Sequence, residues 1–214
     1  MWRASPAARP RLAARSGARG IGLHLAAGMR VGLYGGSFDP AHAGHAHVAR
    51  TALRRLGLDR VIWLVAPRNP LKSAKAAHTL EARLESAASQ ARGPSMIVSD
   101  AEARLGSRYT IDTVRWLKAR FPRVHFVWIM GADSLASFHR WKGWTDLMAE
   151  VPLAIVSRPG FAIKSRHSPA ARRFVHARQP QRAARSLPLG RPPAWVYLAA
   201  PFRPDSSTGL RDCA

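Results

Sequence analysis

From Arg30 onward the chain alternates two hydrophobic rhythms, short β-branched and aromatic runs and longer stretches whose apolar positions recur every three to four residues. The short runs predict strands over 31–34, 61–65, 96–99, 124–130, 151–156 and 195–198. The second is apolar throughout, as a strand covered on both faces requires. The longer stretches predict helices over 44–56, 79–90 and 110–120, and a short one over 145–148. In the first of these Val48, Ala49, Ala52, Leu53 and Leu56 share one face, and Gly57 stops it. Thr110, Asp112 and Thr113 make a helix entrance, Gly131 ends the strongest strand, and residues 67–78 read as a loop. Strands alternating with helices predict the α/β class: a Rossmann-like, doubly wound, mainly parallel sheet in a single domain over 29–214. No internal repeat is visible.

Two stretches keep neither rhythm. Residues 1–28 are rich in Ala, Arg and Gly, carry Arg3, Arg9, Arg11, Arg15 and Arg19 without one acid, and contain Pro6 and Pro10. They are expected to be a disordered extension outside the fold. Their Arg-rich, acid-free composition superficially resembles a transit peptide, but Met29 directly before the first strand favours a start codon assigned too early. The apolar stretch 21–27 is short and holds His24, unlike a secretory signal. Residues 158–193, mostly Arg, Pro, Ala and Ser, read as a basic surface insert with one helix over 169–177.

Charge changes the picture of partners. Of 214 residues, 34 are Lys or Arg and 12 are Asp or Glu, a formal +22, and no acid stands between Glu150 and Asp205. A polyanionic ligand is implied. In the basic segments, however, arginines mix with Pro and Ala rather than with aromatic stacking positions, and no recognition-helix motif stands out. Nucleic-acid binding is therefore expected to be nonspecific and salt-sensitive at most. The sole cysteine, Cys213, permits no intrachain disulfide and is compatible with a reducing compartment. No apolar run reaches the roughly 18 residues a membrane helix needs. A cytoplasmic protein is expected, and a homo-oligomer is left open.

The chemistry concentrates between the first strand and the first helix, in Gly35-Gly36-Ser37-Phe38-Asp39-Pro40-Ala41-His42-Ala43-Gly44-His45. Open α/β sheets bind ligands at that end of the strand. Two glycines let backbone amides approach a phosphate, and a helix N-terminus adds a partial positive charge. His42 and His45, three apart, can face the same phosphates, or can serve as caps. As zinc ligands they lack a third Cys, His or acid at a usual spacing. Asp39 can be a turn residue, and Phe38 a packing residue.

At these residues the chain resembles the nucleotidyltransferases that carry H-x-G-H after a Gly-Gly-Ser/Thr-Phe-Asp-Pro turn. Within them it is similar to the bacterial nicotinate-nucleotide adenylyltransferases. Matching motifs follow in order over 29–211: Tyr109-Thr110, Gly131-Ala132-Asp133-Ser134-Leu135, Trp141, Arg158-Pro159-Gly160 and Ser206-Ser207-Thr208-Gly209-Leu210-Arg211. The resemblance implies transfer of AMP from ATP to nicotinate mononucleotide, giving deamido-NAD and pyrophosphate in NAD biosynthesis. It implies catalytic roles for His42 and His45 on the ATP phosphates, with Gly35, Gly36, Ser37, Phe38, Lys72, Ser206, Ser207, Thr208 and Arg211 completing the ATP site.

Nicotinate mononucleotide is expected at Trp141, Tyr109, Thr110 and Asp133. Trp144 is an alternative stacking residue, and Asp133 an alternative cap. Magnesium is expected to arrive on the triphosphate rather than on a protein ligand set. Two departures stand out: Lys142 where the family often has Tyr, and a C-terminus that stops at Ala214 where the family usually continues into a helix. Nicotinamide mononucleotide and phosphopantetheine are the competing acceptors, and a nucleic-acid-binding protein is the competing class. Mass spectrometry of the natively expressed protein is expected to find Met29 first; a mature chain beginning at Met1 would overturn the start-site reading.

Overall fold

The computed structural model describes residues 22–67 and 78–200, together with a two-residue strand at 11–12. Eight strands form its sheet: β1 (Arg11–Leu12), at one edge, β2 (Arg30–Gly36), β3 (Arg60–Val65), β4 (Met96–Ser99), β5 (His125–Gly131), β6 (Leu153–Val156), β7 (Arg178–Gln179) and β8 (Trp195–Leu198). Their order is β1-β4-β3-β2-β5-β6-β8-β7, and every pairing is parallel. The chain winds outward from β2 through β3 to β4, then returns to the other side of β2 for β5, β6 and β8. The expected doubly wound architecture is what folds, and β2 and β5 form its centre.

Alternation along the central strands supplies both faces with apolar residues. Val31 and Leu33 of β2, Ile62 and Leu64 of β3, and Trp128 and Met130 of β5 belong to one core cluster. That cluster also takes residues from α4 (Thr110–Arg120), α5 (Ala132–Ser137), α6 (Trp144–Glu150) and α8 (Pro169–Arg173). Tyr34, Trp63, Val127 and Ile129 point into the opposite cluster, under α1 (Ala43–Leu56) and α2 (Leu80–Gln90). Gly57 ends α1 in the left-handed conformation at φ 63°, donating its amide to the Leu53 carbonyl, as the sequence suggests.

The structure differs from the sequence reading at three places. The sequence groups residues 22–28 with the extension, yet Leu23 is buried in the core and the Gly28 amide donates to the Arg123 carbonyl at 2.7 Å. Second, the basic insert holds more than the one expected helix. It folds into α7 (Ala162–Arg166), α8, β7 and 3₁₀ turns at Val175–Ala177 and Gln181–Leu189. Ala184 and Leu187 in the longer 3₁₀ stretch are buried with the α1 face of the core. Third, β6 starts at Leu153 rather than at Val151, while Gly131 ends β5 as its last residue. The short α3 (Ala101–Arg104) and α5 carry too few residues to show a period.

An ionic brace joins α4 to α6. Lys118 Nζ donates to Glu150 Oε2 and to the Glu150 carbonyl, both at 2.7 Å, while Arg115 donates to Glu150 Oε1 at 3.0 Å and to Asp146 at 3.3 Å. The Lys118 hydrogen bond, with Arg115, holds the Glu150 carboxyl below its ordinary value against a partial desolvation that works the other way. A carboxyl depressed on folding contributes stability above its unfolded value near 4.3, and that contribution is lost as pH falls through the folded value. Glu150→Gln is therefore expected to leave the melting temperature less dependent on pH below about pH 5 than in the parent protein, as read by thermal melts from pH 7 down to about pH 3.

Candidate active site

The sheet reverses its winding between β2 and β5, and the crevice outside the carboxyl ends of those two strands is where open α/β sheets take ligands. Both strands end in glycine: Gly35 and Gly36 on β2, Gly131 on β5. A side chain at Gly35 would land on the six-membered ring of Trp128, within 2.7 Å of its Cζ2. One at Gly131 would come within 2.9 Å of Arg158 Nε. Backbone lies bare at the crevice because neighbouring side chains fill the space a Cβ needs.

The turn after β2 is held from inside the fold. Phe38 has φ 48°, a left-handed conformation that costs a non-glycine residue roughly 1 kcal/mol or more. Its buried ring meets Tyr34 at 5.4 Å, His45 at 5.1 Å and Trp63 at 5.0 Å between centroids. Phe38 is thus a core residue by its side chain, and what it can present to a ligand is its amide. The Asp39–Pro40 bond is cis. Asp39 Oδ1 accepts the His78 amide at 3.3 Å and lies 2.5 Å from His78 Nδ1.

His42 and His45 cap helix α1 reciprocally. His42 is the N-cap, with extended backbone, and its Nδ1 accepts the Gly44 amide at 3.1 Å; His45 Nδ1 accepts the His42 amide at 3.2 Å. The two rings stand 3.9 Å apart. This is the capping box with imidazoles in place of Ser and Glu. Because each Nδ1 is an acceptor, the neutral rings carry their proton on Nε2. Each ring thereby fills a structural role with one nitrogen and carries an N–H donor on the other. The first turn of α1 has no acidic residue, so its dipole end suits an anion.

On the other side of the crevice, Trp141 packs edge-on against Trp128 at 6.3 Å and Phe138 at 5.4 Å, and Phe138 also meets Trp144 at 6.0 Å. Gly143 lies against Ile111 in the first turn of α4, which sets the Trp141 segment beside the helix opened by Tyr109 and Thr110. Tyr109 is the N-cap position, without a side-chain cap bond, and is 41% exposed, unusually open for an aromatic residue in this fold. Trp144, half-buried like Trp141, also meets Phe174 at 5.9 Å. Asp133, at the start of α5, makes no cap bond; it lies 3.5 Å from Arg158 Nε.

The structure thus gathers Gly35, Gly36, Ser37, His42 and His45 on one side and Asp133, Trp141, Tyr109 and Thr110 on the other. Lys72, Ser206, Ser207, Thr208 and Arg211 lie outside the described residues. Sequence reasoning missed four groups. Arg83, nearly fully buried, donates to the Ser37 carbonyl at 3.0 Å. The Tyr34 phenol, hydrogen-bonded to Arg158, is raised above its ordinary value by burial, with Arg158 pulling the other way and Asp133 adding to the rise. Trp128 forms the floor beneath Gly35. Glu102 on α3 is pushed up to about 7 by desolvation. A guanidinium among the apolar positions of α2 was the one signal for Arg83, and the four residues of α3 offered none for Glu102.

The chain is similar to known proteins in sequence and in fold. A family model described as cytidylyltransferase-like matches residues 33–211. A probable nicotinate-nucleotide adenylyltransferase of Caulobacter sp. (strain K31) is 64% identical over 183 residues, covering 86% of this chain and 97% of its own length. One from Methylorubrum extorquens is 51% identical over 86% of this chain and 99% of its own. Among solved structures, the fold is similar to Plasmodium falciparum nicotinic acid mononucleotide adenylyltransferase complexed with NaAD, with TM-score 0.64 and 16% identity over 85% of this chain and 82% of that one.

Cap and ligand roles of His42 are separable. Asn is a good N-cap and Ala a poor one, so His42→Ala is expected to lower the melting temperature by about 2–6 °C and His42→Asn by less. Both are expected to weaken ATP binding about tenfold or more. Calorimetric melts and titrations read the two effects; an Asn variant that binds ATP as well as the parent would leave His42 a cap alone.

Proposed function

The chain belongs to the cytidylyltransferase-like family and, within it, to the nicotinate-nucleotide adenylyltransferases, and we propose that it transfers AMP from ATP to nicotinate mononucleotide. The phosphate oxygen of nicotinate mononucleotide attacks the α-phosphorus of ATP, the bond from that phosphorus to the β-phosphate oxygen breaks, and pyrophosphate leaves with deamido-NAD as the second product. The enzyme is a nucleotidyltransferase acting in NAD biosynthesis. Such a transfer needs no covalent nucleophile, only alignment and charge neutralisation. The reciprocal histidine cap at the winding reversal carries this reading, since it sets two imidazoles and a helix N-terminus without acidic residues at the end of the central strand.

His42 and His45 bind the ATP phosphates and stabilise the charge that develops on transfer. Gly35, Gly36 and the amides through Phe38 let the triphosphate approach backbone, and Ser37 stands beside the transferring phosphate. Trp141 stacks on the nicotinate ring, with Tyr109, Thr110 and Asp133 completing that pocket. Lys72, Ser206, Ser207, Thr208 and Arg211 are assigned to the triphosphate by their match to the family's motifs. Imidazoles and amides suit phosphate oxygens, and among the described residues no three His, Cys, Asp or Glu side chains gather as a metal site. Magnesium is assigned to the triphosphate on the chemistry of its phosphate oxygens, whose charge it screens when bound.

No helix among the described residues is long and apolar enough to cross a membrane. Drawing on ATP, the enzyme is placed in the cytoplasm, and affinity of its basic surface for nucleic acid is read as incidental and salt-sensitive. The deciding measurement is pyrophosphate release from ATP and magnesium, offering nicotinate mononucleotide, nicotinamide mononucleotide and phosphopantetheine separately. Release is expected with nicotinate mononucleotide, reduced about a hundredfold by His45→Ala. Release with another acceptor alone would keep the chemistry and replace the substrate.

A further inference from the structure

Behind the phosphate turn, three segments of chain converge on one side chain. Arg83, in the first turn of α2 and only 5% exposed, donates from Nη1 to the carbonyls of Ser37 at 3.0 Å and Ala66 at 2.5 Å. Its Nη2 donates to the Pro67 carbonyl at 2.8 Å and its Nε to the His78 carbonyl at 3.2 Å. Ser37 follows β2, Ala66 and Pro67 follow β3, and His78 precedes α2. Asp39 closes the ring, since its carboxylate takes the His78 amide and lies against the His78 imidazole.

Nothing in helix packing asks for arginine here. The other buried residue of α2 is Ala87, and an aliphatic side chain would fill such a position without the desolvation cost of a buried cation. Among the described residues no carboxylate forms an ion pair with Arg83. Its partners are four neutral carbonyls, which take four of its five N–H donors and leave its charge in place. Burial lowers its pKa from the ordinary guanidinium value, with Asp39 and Glu81 acting in the opposite sense. A full positive charge thus sits one carbonyl behind Ser37, in surroundings where charges interact more strongly than in water.

We infer that Arg83 is a positioning residue for the transfer: its fork sets the place of Ser37 relative to β3 and α2, and its charge favours the polyphosphate in front of the turn. The inference rests on the adenylyltransferase reading for the identity of that polyphosphate. It assigns to a residue outside every recognised motif an effect on ATP that is not shared by the second substrate, whose pocket lies on the β5 side.

Two variants of the full chain, Arg83→Ala and Arg83→Lys, test it. The readouts are ATP affinity by calorimetry without acceptor, the separate KM values, and rescue of Arg83→Ala by added methylguanidine. For Arg83→Ala, ATP affinity and kcat/KM for ATP are expected to fall about thirtyfold or more, with KM for nicotinate mononucleotide within about twofold of the parent and partial recovery with methylguanidine. Arg83→Lys keeps a charge and loses the fork, and is expected to lose about tenfold in the same ATP-specific way. A folded Arg83→Ala with parental ATP affinity, or an equal loss toward both substrates without rescue, overturns the inference. If Arg83→Ala shows no cooperative melt, Arg83→Lys decides: an ATP-specific loss supports the inference, and parental behaviour overturns it. Should the parent bind ATP yet transfer nothing to nicotinate mononucleotide, the substrate reading fails alone, and the calorimetric comparison still judges Arg83.

Discussion

A helix that begins beneath a polyanion must offer its first amides to that ligand, yet those same amides need partners whenever the ligand has left. Most helices meet the requirement with a hydroxyl or carboxylate, and either would compete with or repel a phosphate. Helix α1 meets it with His42 and His45, whose Nδ1 atoms accept the Gly44 and His42 amides. Imidazole is the side chain that can accept at one position while donating at another. The cap consequently brings no negative charge to the helix start, and the remaining features of the phosphate side serve to hold that start in place.

Those features press on the turn from different directions. Phe38 is held in an unfavourable backbone conformation because its ring fits between Tyr34, Trp63 and His45. Trp128 lies so close to Gly35 that the strand end must stay bare. Arg83 draws the Ser37 carbonyl toward the ends of β3 and α2. Tyr34 connects the two sides, since its ring touches Phe38 and its hydroxyl bonds to Arg158, the partner of Asp133. The phosphate turn and the wall across the crevice therefore share one buried linkage through the middle of the sheet.

Where burial on both faces dictated a continuous apolar run, the sequence was legible to the residue: Met96–Ser99 and Trp195–Leu198 fold as read. Helix α4 was equally plain from its period. The turn between β2 and α1 was legible as a candidate site because its glycines and paired histidines mark it by residue type. The basic insert was not, because Ala184 and Leu187 are a single buried apolar pair in a 3₁₀ stretch of Arg, Ser and Pro, too few to establish a period. Arg83 was hidden for another reason. Its partners are backbone carbonyls, which every residue possesses, so no second side chain marks the contact in the sequence. Residues 22–28 show the same limit, as Leu23 has a place in the core without a periodic neighbour to announce it.

The register of β2 against β5 has a consequence in time. Residues 30–34 pair with 125–129, so the crevice lies between strands that are made far apart during synthesis. The first half of the sheet, β2 with β3 and β4, can pair from local segments and can present the capped helix early. The floor formed by Trp128, the wall formed by Trp141 and the Arg158 linkage arrive only with the second half. A ribosome-bound chain stopped before β5 would expose one raw side of the central strand, an unpaired edge of the kind that recruits other chains. Escape from that hazard comes when β5 docks, ahead of the later segments that complete the site.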